Sequence, residues 1–230
     1  MEPLRIVTWN LLGRPPHRVG LDRLVREWEP TVLLLQEANG DAITDDEQVA
    51  AAFPHRFMVR EAGSRIGMAI LSRHAMTRTG SLKDPPHVFD RPRLLWAELL
   101  LPDGGAVIAA SVHAAAPDSF MPPPYNPTRR NQQLVAIRSF GQSLIDEGAR
   151  AVIGGDFNTV RYRIAGMVDA AEAGGAGGPT WRGLPVSWMP VLLRLDRIFV
   201  GGGFRVEEAR VGTDFHGSDH CPVGVTIVGS

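Results

Sequence analysis

The sequence predicts an α+β fold built on two β-sheets, and two observations predict it. A strand–helix–strand unit occurs twice along the chain, and each apolar run that reads as a buried strand ends in a short polar cluster. The first unit begins with residues 4–9, an apolar run closed by Thr8-Trp9-Asn10. Residues 17–29 follow as a helix, because Leu21, Leu24, Val25 and Trp28 fall at i, i+3, i+4 and i+7. Pro30 stops it. Residues 32–35 are an unbroken apolar run ending in Gln36-Glu37, the pattern of a strand covered on both faces.

Shorter strands are expected in the middle, at 67–72 and 94–101. Pro102-Asp103-Gly104-Gly105 is a hairpin turn signal. It leads into a strand at 106–113 that ends on His113. A proline-rich loop covers 117–127, and a helix follows from about 128 to 147 with Leu134, Ile137 and Leu144 on one face. Residues 151–153 then form a strand closing on Gly155-Asp156-Phe157-Asn158. This second unit carries carboxylates and amides at the same ends as the first, which implies a pseudo-symmetric pair of sheets. Residues 171–190 read as loop, with a glycine-rich stretch at 173–179. Strands at 195–200 and 223–228 complete the chain. No linker separates independent units, so residues 1–230 read as one domain.

At 230 residues the chain fits one large domain better than two. Its apolar fraction of 44% is enough for a sizeable core. A net charge of -1 leaves no global basic field for nucleic acid, so such a partner would need a local basic stripe. Lys83 is the only lysine. The positive charge is therefore carried by arginine, as GC-rich codon usage produces, and arginine's planar fork also suits phosphate. Cys221 stands alone, which excludes an internal disulfide framework and a cysteine-cluster metal site. It sits in an apolar run and is expected in the core. There is no run of about 18 apolar residues to span a membrane and no basic-then-apolar leader. The expectation is a cytoplasmic monomer, with secretion through a removed upstream segment as the alternative.

The polar clusters carry the chemistry. Asn10, Glu37, His113, Asp156, Asn158 and the Ser218-Asp219-His220 triplet all sit at strand ends and can converge on one site. That mixture is what metal-assisted attack on a phosphate ester needs. Each signal is weak alone. Asn10 by itself reads as a turn residue, Glu37 as a cap or surface charge, His113 as a satisfied strand-end histidine and Asp196 as an ion-pair partner of Arg194 or Arg197. His17, His55, His74, His87 and His216 lack comparable context and are expected at the surface.

In this order, with Leu195-Asp196-Arg197 between the last two motifs, the set resembles the endonuclease/exonuclease/phosphatase superfamily, the DNase I-like enzymes. The resemblance runs from Trp9-Asn10 to Ser218-Asp219-His220. It implies a four-layer α/β/β/α sandwich: two mixed sheets packed face to face and flanked by helices, with the active site at one edge. It implies a metal-dependent hydrolase of phosphate esters. Glu37 would carry Mg²⁺ or Mn²⁺, hard cations that favour oxygen ligands, with Asn10 and Asp219 completing the site. Asp196 would fix the tautomer of His220. Whether His220 acts as base or as phosphate stabiliser stays open, and Asp156 competes for the attacking water. His113 and Asn158 would donate hydrogen bonds to nonbridging oxygens.

The motifs specify a bond rather than a substrate. A phosphodiesterase of nuclease type is the first expectation, with Trp181 and Trp188 available to stack on bases. Arg129 and Arg130 are expected to bind substrate beside Trp181. Arg161, Arg163 and Arg182 are equally placed to clamp a phosphate or simply to be solvated. The histidine at position 113 departs from the apurinic endonucleases, which usually have tyrosine there. The alternatives are a phosphatase acting on a small-molecule or lipid monoester and a non-catalytic binding module on the same fold. The apolar loop residues Phe120, Met121, Trp188, Met189 and Val191 to Leu193 would line a pocket under the former. The module requires a decayed site, whereas every polar position is filled.

Overall fold

The structure is a computed structural model that describes residues 2–15, 20–61, 63–83, 92–116, 127–183 and 193–229. In chain order its elements are β1 (Leu4–Asn10), α1 (Leu21–Trp28), β2 (Val32–Asn39), α2 (Gly40–Asp45), α3 (Glu47–Ala52), β3 (His55–Arg60), β4 (Ile66–Ser72) and β5 (Met76–Lys83). They continue as β6 (Pro92–Leu100), β7 (Ala106–His113), α4 (Pro127–Asp146), β8 (Ala151–Asp156), β9 (Val168–Asp169), α5 (Ala170–Ala173), β10 (Asp196–Gly201), β11 (Phe204–Val211) and β12 (Val223–Gly229). One sheet has the order β11-β12-β1-β2-β4-β3 and the other β5-β6-β7-β8-β10-β9.

Both sheets are mixed, and for the same reason. A strand that leaves for a helix and returns alongside itself is parallel, whereas a tight turn makes an antiparallel neighbour. Thus β1 and β2 are parallel across α1, and β7 and β8 are parallel across α4; the other pairs are antiparallel.

Alternation along the strands builds the layers. On β1, Leu4 and Ile6 face the opposite sheet and pack with Leu95, Ala97, Val152 and Ile198. Val7 and Trp9 point the other way, to Leu21 and Leu24 of α1. On the far sheet, Val112, Ile153 and Phe199 face outward to Ile137 and Leu144 of α4. Three apolar layers result, one between the sheets and one under the helices on each outer face. The sandwich expected from the sequence is therefore present. Its central strands are apolar on both faces because both faces are covered.

Some expectations change. The helix after β1 is described from Leu21, with residues 16–19 outside the described set, and it closes on a left-handed Glu29 (φ 43°) whose N–H caps Val25, one residue before Pro30. β2 runs on through Glu37 to Asn39. Strands β3, β5, β9 and β11, unassigned from the sequence, all appear, as do α2, α3 and α5. The stretch from 171 begins inside α5, where Asp169 caps the backbone N–H groups of Ala171 and Glu172. Residues 117–126 and 184–192, with Trp188 and the loop residues Phe120, Met121, Met189, Val191 and Leu192, lie outside the described residues.

Candidate active site

The carboxyl ends of the two parallel pairs meet at one edge. Beneath that edge a buried polar clamp joins the sheets. The Gln36 amide donates to Thr8 Oγ1 at 3.1 Å, to the Leu34 carbonyl at 3.0 Å and to Ser111 Oγ at 2.9 Å. Each clamp residue sits one or two positions before a site residue: Thr8 before Asn10, Gln36 before Glu37, Ser111 before His113. Buried polar groups are kept only when bonded, so this clamp fixes how far apart the two halves of the site stand.

Glu37 owes its direction to a break in β2. The β2–β4 register slips between Leu35 and Ala38, and Glu37 has φ 47°. A bulge re-aims a side chain, and a left-handed non-glycine residue costs about 1–2 kcal/mol. The Glu37 side chain is 31% exposed and its Oε1 lies 3.5 Å from His113 Nε2. Asn10 steadies it: Nδ2 donates to Glu37 Oε1 at 3.0 Å and to Asp156 Oδ2 at 3.3 Å, while Oδ1 accepts from the Leu12 N–H.

On the second sheet, cross-strand register sets His113 opposite Asp156, and Asp156 opposite Asp196. Gly155 (φ 151°) makes this alignment possible, because a Cβ there would lie 2.0 Å from the Val112 carbonyl oxygen. Asp156 is held by Asn158, whose backbone N–H donates to Oδ1 at 2.8 Å and whose Nδ2 donates to Oδ2 at 3.0 Å. Asn158 Nδ2 also donates to the Ala114 carbonyl at 2.9 Å. Both amide protons are thus engaged within the protein, rather than turned outward as expected from the sequence.

His220 closes the arrangement. Its Nδ1 meets Asp196 Oδ2 at 2.8 Å, and Thr180 Oγ1 donates to the same oxygen at 2.6 Å. Its Nε2 lies 3.7 Å from Asp156 Oδ2 and 3.9 Å from Asp219 Oδ1. The backbone around it is tied to β1 through Ser218 Oγ, which donates to the Asn10 carbonyl, and through Trp9 Nε1, which donates to the His220 carbonyl.

Electrostatics separate the two histidines. Burial alone would lower the His220 pKa, but the carboxylates of Asp196 and Asp156 outweigh it and push it up to about 10. Burial drives His113 down to about 4, with the nearby Arg93 guanidinium acting in the same direction and Asp156 opposing. Burial and the charge of Asp196 raise Asp156 above the usual carboxylate range, against the pull of His220. At neutral pH this edge presents a charged His220 and a neutral His113.

Asp156, Asp196 and His220 offer atoms within 4.8 Å of one another. His220 Nδ1 and Asp196 Oδ2 are already joined at 2.8 Å, which suits the pair to holding a proton, while Asp196 Oδ1 is buried without a hydrogen-bond partner among the described residues. Carboxylate oxygens outside that trio fit a hard divalent cation better. Glu37 offers a half-exposed carboxylate, and Asp219 Oδ1 is buried with no hydrogen-bond partner among the described residues. The other Asp219 oxygen accepts from Trp181 Nε1 at 3.0 Å.

The remaining expected residues fall differently. Trp181 bridges by backbone to Leu193 and His220 and its indole N–H is committed to Asp219. Arg130 is half-buried at the start of α4, and the Arg129 side chain lies outside the described residues. Asp196 forms no ion pair with Arg194 or Arg197 among the described residues; both reach Asp169 instead. His216 is packed edge-on against Trp9 rather than free at the surface, with ring centroids 5.8 Å apart. Thr180, Ser111 and Arg93 were not singled out from the sequence. Ser111 lies within an apolar run and Arg93 just before one, whereas nothing local marks Thr180.

This fold and this site define a class, and the chain belongs to it: the endonuclease/exonuclease/phosphatase family model matches residues 7–220. Solved structures share the fold. Truncated Caenorhabditis elegans TDP2 is 18% identical with a TM-score of 0.78, covering 98% of this chain and 97% of that one. D. rerio TDP2 complexed with single strand DNA product is 19% identical with a TM-score of 0.77, covering 99% and 100%. An endonuclease/exonuclease/phosphatase from Beutenbergia cavernae is 19% identical with a TM-score of 0.75, covering 100% of this chain and 72% of that one. No curated protein is similar enough in sequence to be matched to it. No helix among the described residues is long and apolar enough to cross a membrane.

Proposed function

We propose that the protein is a metal-dependent phosphodiesterase acting on nucleic acid by in-line attack of water. The observation that carries this reading is His220, joined at Nδ1 to Asp196 at 2.8 Å and with Nε2 3.7 Å from Asp156, at the same edge as Glu37. Glu37, with Asp219 and Asn10, would hold Mg²⁺ or Mn²⁺, which when bound offsets negative charge growing on the phosphate and the leaving oxygen.

The chain's own residues supply the rest. A group with a pKa near 10 is protonated at neutral pH, so His220 serves as donor to the phosphate and leaving oxygen rather than as base. Asp196 and Thr180 hold its ring. Asp156, raised by burial, orients the water and accepts its proton as the new P–O bond forms and the bond to the leaving oxygen breaks. His220 returns a proton to that oxygen. Neutral His113 donates to a nonbridging oxygen, and Asn158 keeps Asp156 in place. Residues 1–230 act as one domain in this scheme, with site residues drawn from Asn10 to His220. The DNA product bound by D. rerio TDP2 supports nucleic acid as the substrate class.

The test is a panel of phosphodiesters and phosphomonoesters, with Mg²⁺ or Mn²⁺ and with chelator, using Glu37→Ala as control. Diester cleavage that stops in chelator and in the variant is the expected result. Release of inorganic phosphate from monoesters alone would replace the reading with a phosphatase, and metal binding without turnover with a binding module.

A further inference from the structure

Beyond Asn158 the chain leaves the site in an alternating pattern. Val160, Arg161 and Arg163 are exposed, whereas Tyr162 and Ile164 are buried. Tyr162 anchors the segment: its ring lies 4.9 Å from that of Phe157 and 5.9 Å from that of Phe199, and its hydroxyl donates to the Leu134 carbonyl at 2.6 Å. From below, the buried Arg197 donates through Nη2 to the Val160 carbonyl at 2.6 Å. Arg161 and Arg163 are therefore presented from a pinned backbone.

Arg138 of α4 joins them. Its Nε donates to the Arg163 carbonyl at 3.1 Å, and its guanidinium lies 5.2 Å from the centre of the Tyr162 ring. Together they line a cleft of about 390 Å³ floored by Tyr162 and Arg197. One acid reaches the rim, Glu172, and it is already met by Arg194 at 3.1 Å and Arg197 at 3.8 Å. Arg197 is in turn balanced by Asp169 at 2.8 Å. Among the described residues, Arg138, Arg161 and Arg163 have no acidic partner. Three like charges in one concavity repel one another, and an anion relieves that repulsion. On a chain of net charge -1 the cluster is not a reflection of general basicity.

The cleft is also close to the reacting centre. Two residues separate Asn158 from Arg161, so their Cα atoms lie at most about 11 Å apart. A nucleic-acid strand carries a phosphate at every nucleotide, so one a few nucleotides from the attacked bond falls within reach. Arginine forks suit such a group.

We propose that this cleft is a second phosphate subsite, taking a non-reacting phosphate of single-stranded nucleic acid. It rests on the phosphodiesterase reading and deepens it, because the preferred substrate becomes a strand with several phosphates. The test uses the double variant Arg161→Gln/Arg163→Gln in two assays. In chelator, with turnover blocked, a labelled single-stranded oligonucleotide is titrated across salt concentrations. Affinity is expected to fall about tenfold, and the slope of log affinity against log salt to shrink by about 1.4, for two lost phosphate contacts. With Mg²⁺, the loss of kcat/KM on the oligonucleotide is expected to exceed the loss on bis(4-nitrophenyl) phosphate, which has one phosphate, by at least about fivefold.

Unchanged affinity and slope overturn the subsite. So does a wild type that binds pyrophosphate through these arginines but does not bind the strand. The two readings fail separately. A wild type that cleaves diesters while the variant behaves identically removes only the cleft. A wild type that cleaves none, with strand binding still lost in the variant, removes only the catalytic reading.

Discussion

The two walls of the site are built on opposite principles. On the Glu37 wall the carboxylate is 31% exposed, aimed by a strained bulge and steadied chiefly by one amide. On the His220 wall Asp156, Asp196 and His220 are buried, and short bonds from Asn158 and Thr180 hold the two acids. Under the proposed function, the exposed Glu37 carboxylate would meet a cation that has to exchange water, and the enclosed His220 would carry a proton in a fixed orientation. Losing the exposed carboxylate is then expected to cost little stability, and losing the enclosed histidine more.

The largest expected effect tests that contrast directly. His220→Ala and Glu37→Ala should each lower kcat by about 10³-fold or more. Only His220→Ala should also destabilise the fold, by about 3 kcal/mol, because Asp196 is left as a buried charge without its partner. Equal loss of stability in the two variants, measured by urea unfolding, would break the contrast.

A smaller effect probes the seam between the walls. Trp181→Phe removes the donor to Asp219 and should raise the metal concentration needed for half-maximal activity about 10- to 100-fold. Metal titration of activity reads it, and an unchanged requirement would detach Asp219 from the metal.

The pH dependence of stability in chelator should differ in sign between the histidines. His220 has its pKa raised to about 10, so its contribution is complete below about 6.5 and fades as pH rises through about 10. His113 has its pKa lowered to about 4, so its contribution is present above about 6.5 and is lost as pH falls through about 4. Urea midpoints of His220→Gln and His113→Asn against wild type, from pH 4 to 10, should therefore converge at opposite ends of the range. Convergence at the same end would refute the assignment.

The smallest effect concerns Cys221, whose thiol is pushed up to about 12 by burial. It should resist a thiol reagent at pH 8 in the folded protein and react on unfolding. Rapid labelling of the native state would place it outside the core.

The expected strands and the overlooked ones divide along a physical line. Interior strands such as β1, β2, β7 and β8 are apolar on both faces and stand out in the sequence. The overlooked β3, β5, β9 and β11 are the four sheet edges. None of the residues of β3 or β11 is buried, so Phe204 to Val211 carries no apolar run. The site divides in the same way. Asn10, Glu37, His113 and Asp156 announce themselves as polar residues terminating apolar runs. Thr180 lies sixteen residues from its partner Asp196, and Ser111 and Gln36 are 75 apart. Nothing local marks such pairs.

From the sequence alone came the family, the layered sandwich and the identity of the groups able to gather at its edge, because periodic burial and strand-end polarity are local properties of the chain. Which of those groups are charged, which amide protons are already engaged and where three arginines share a cleft were decided only by the tertiary structure. Those outcomes depend on burial and on distances between residues remote in the chain, and neither exists until the sheets have packed.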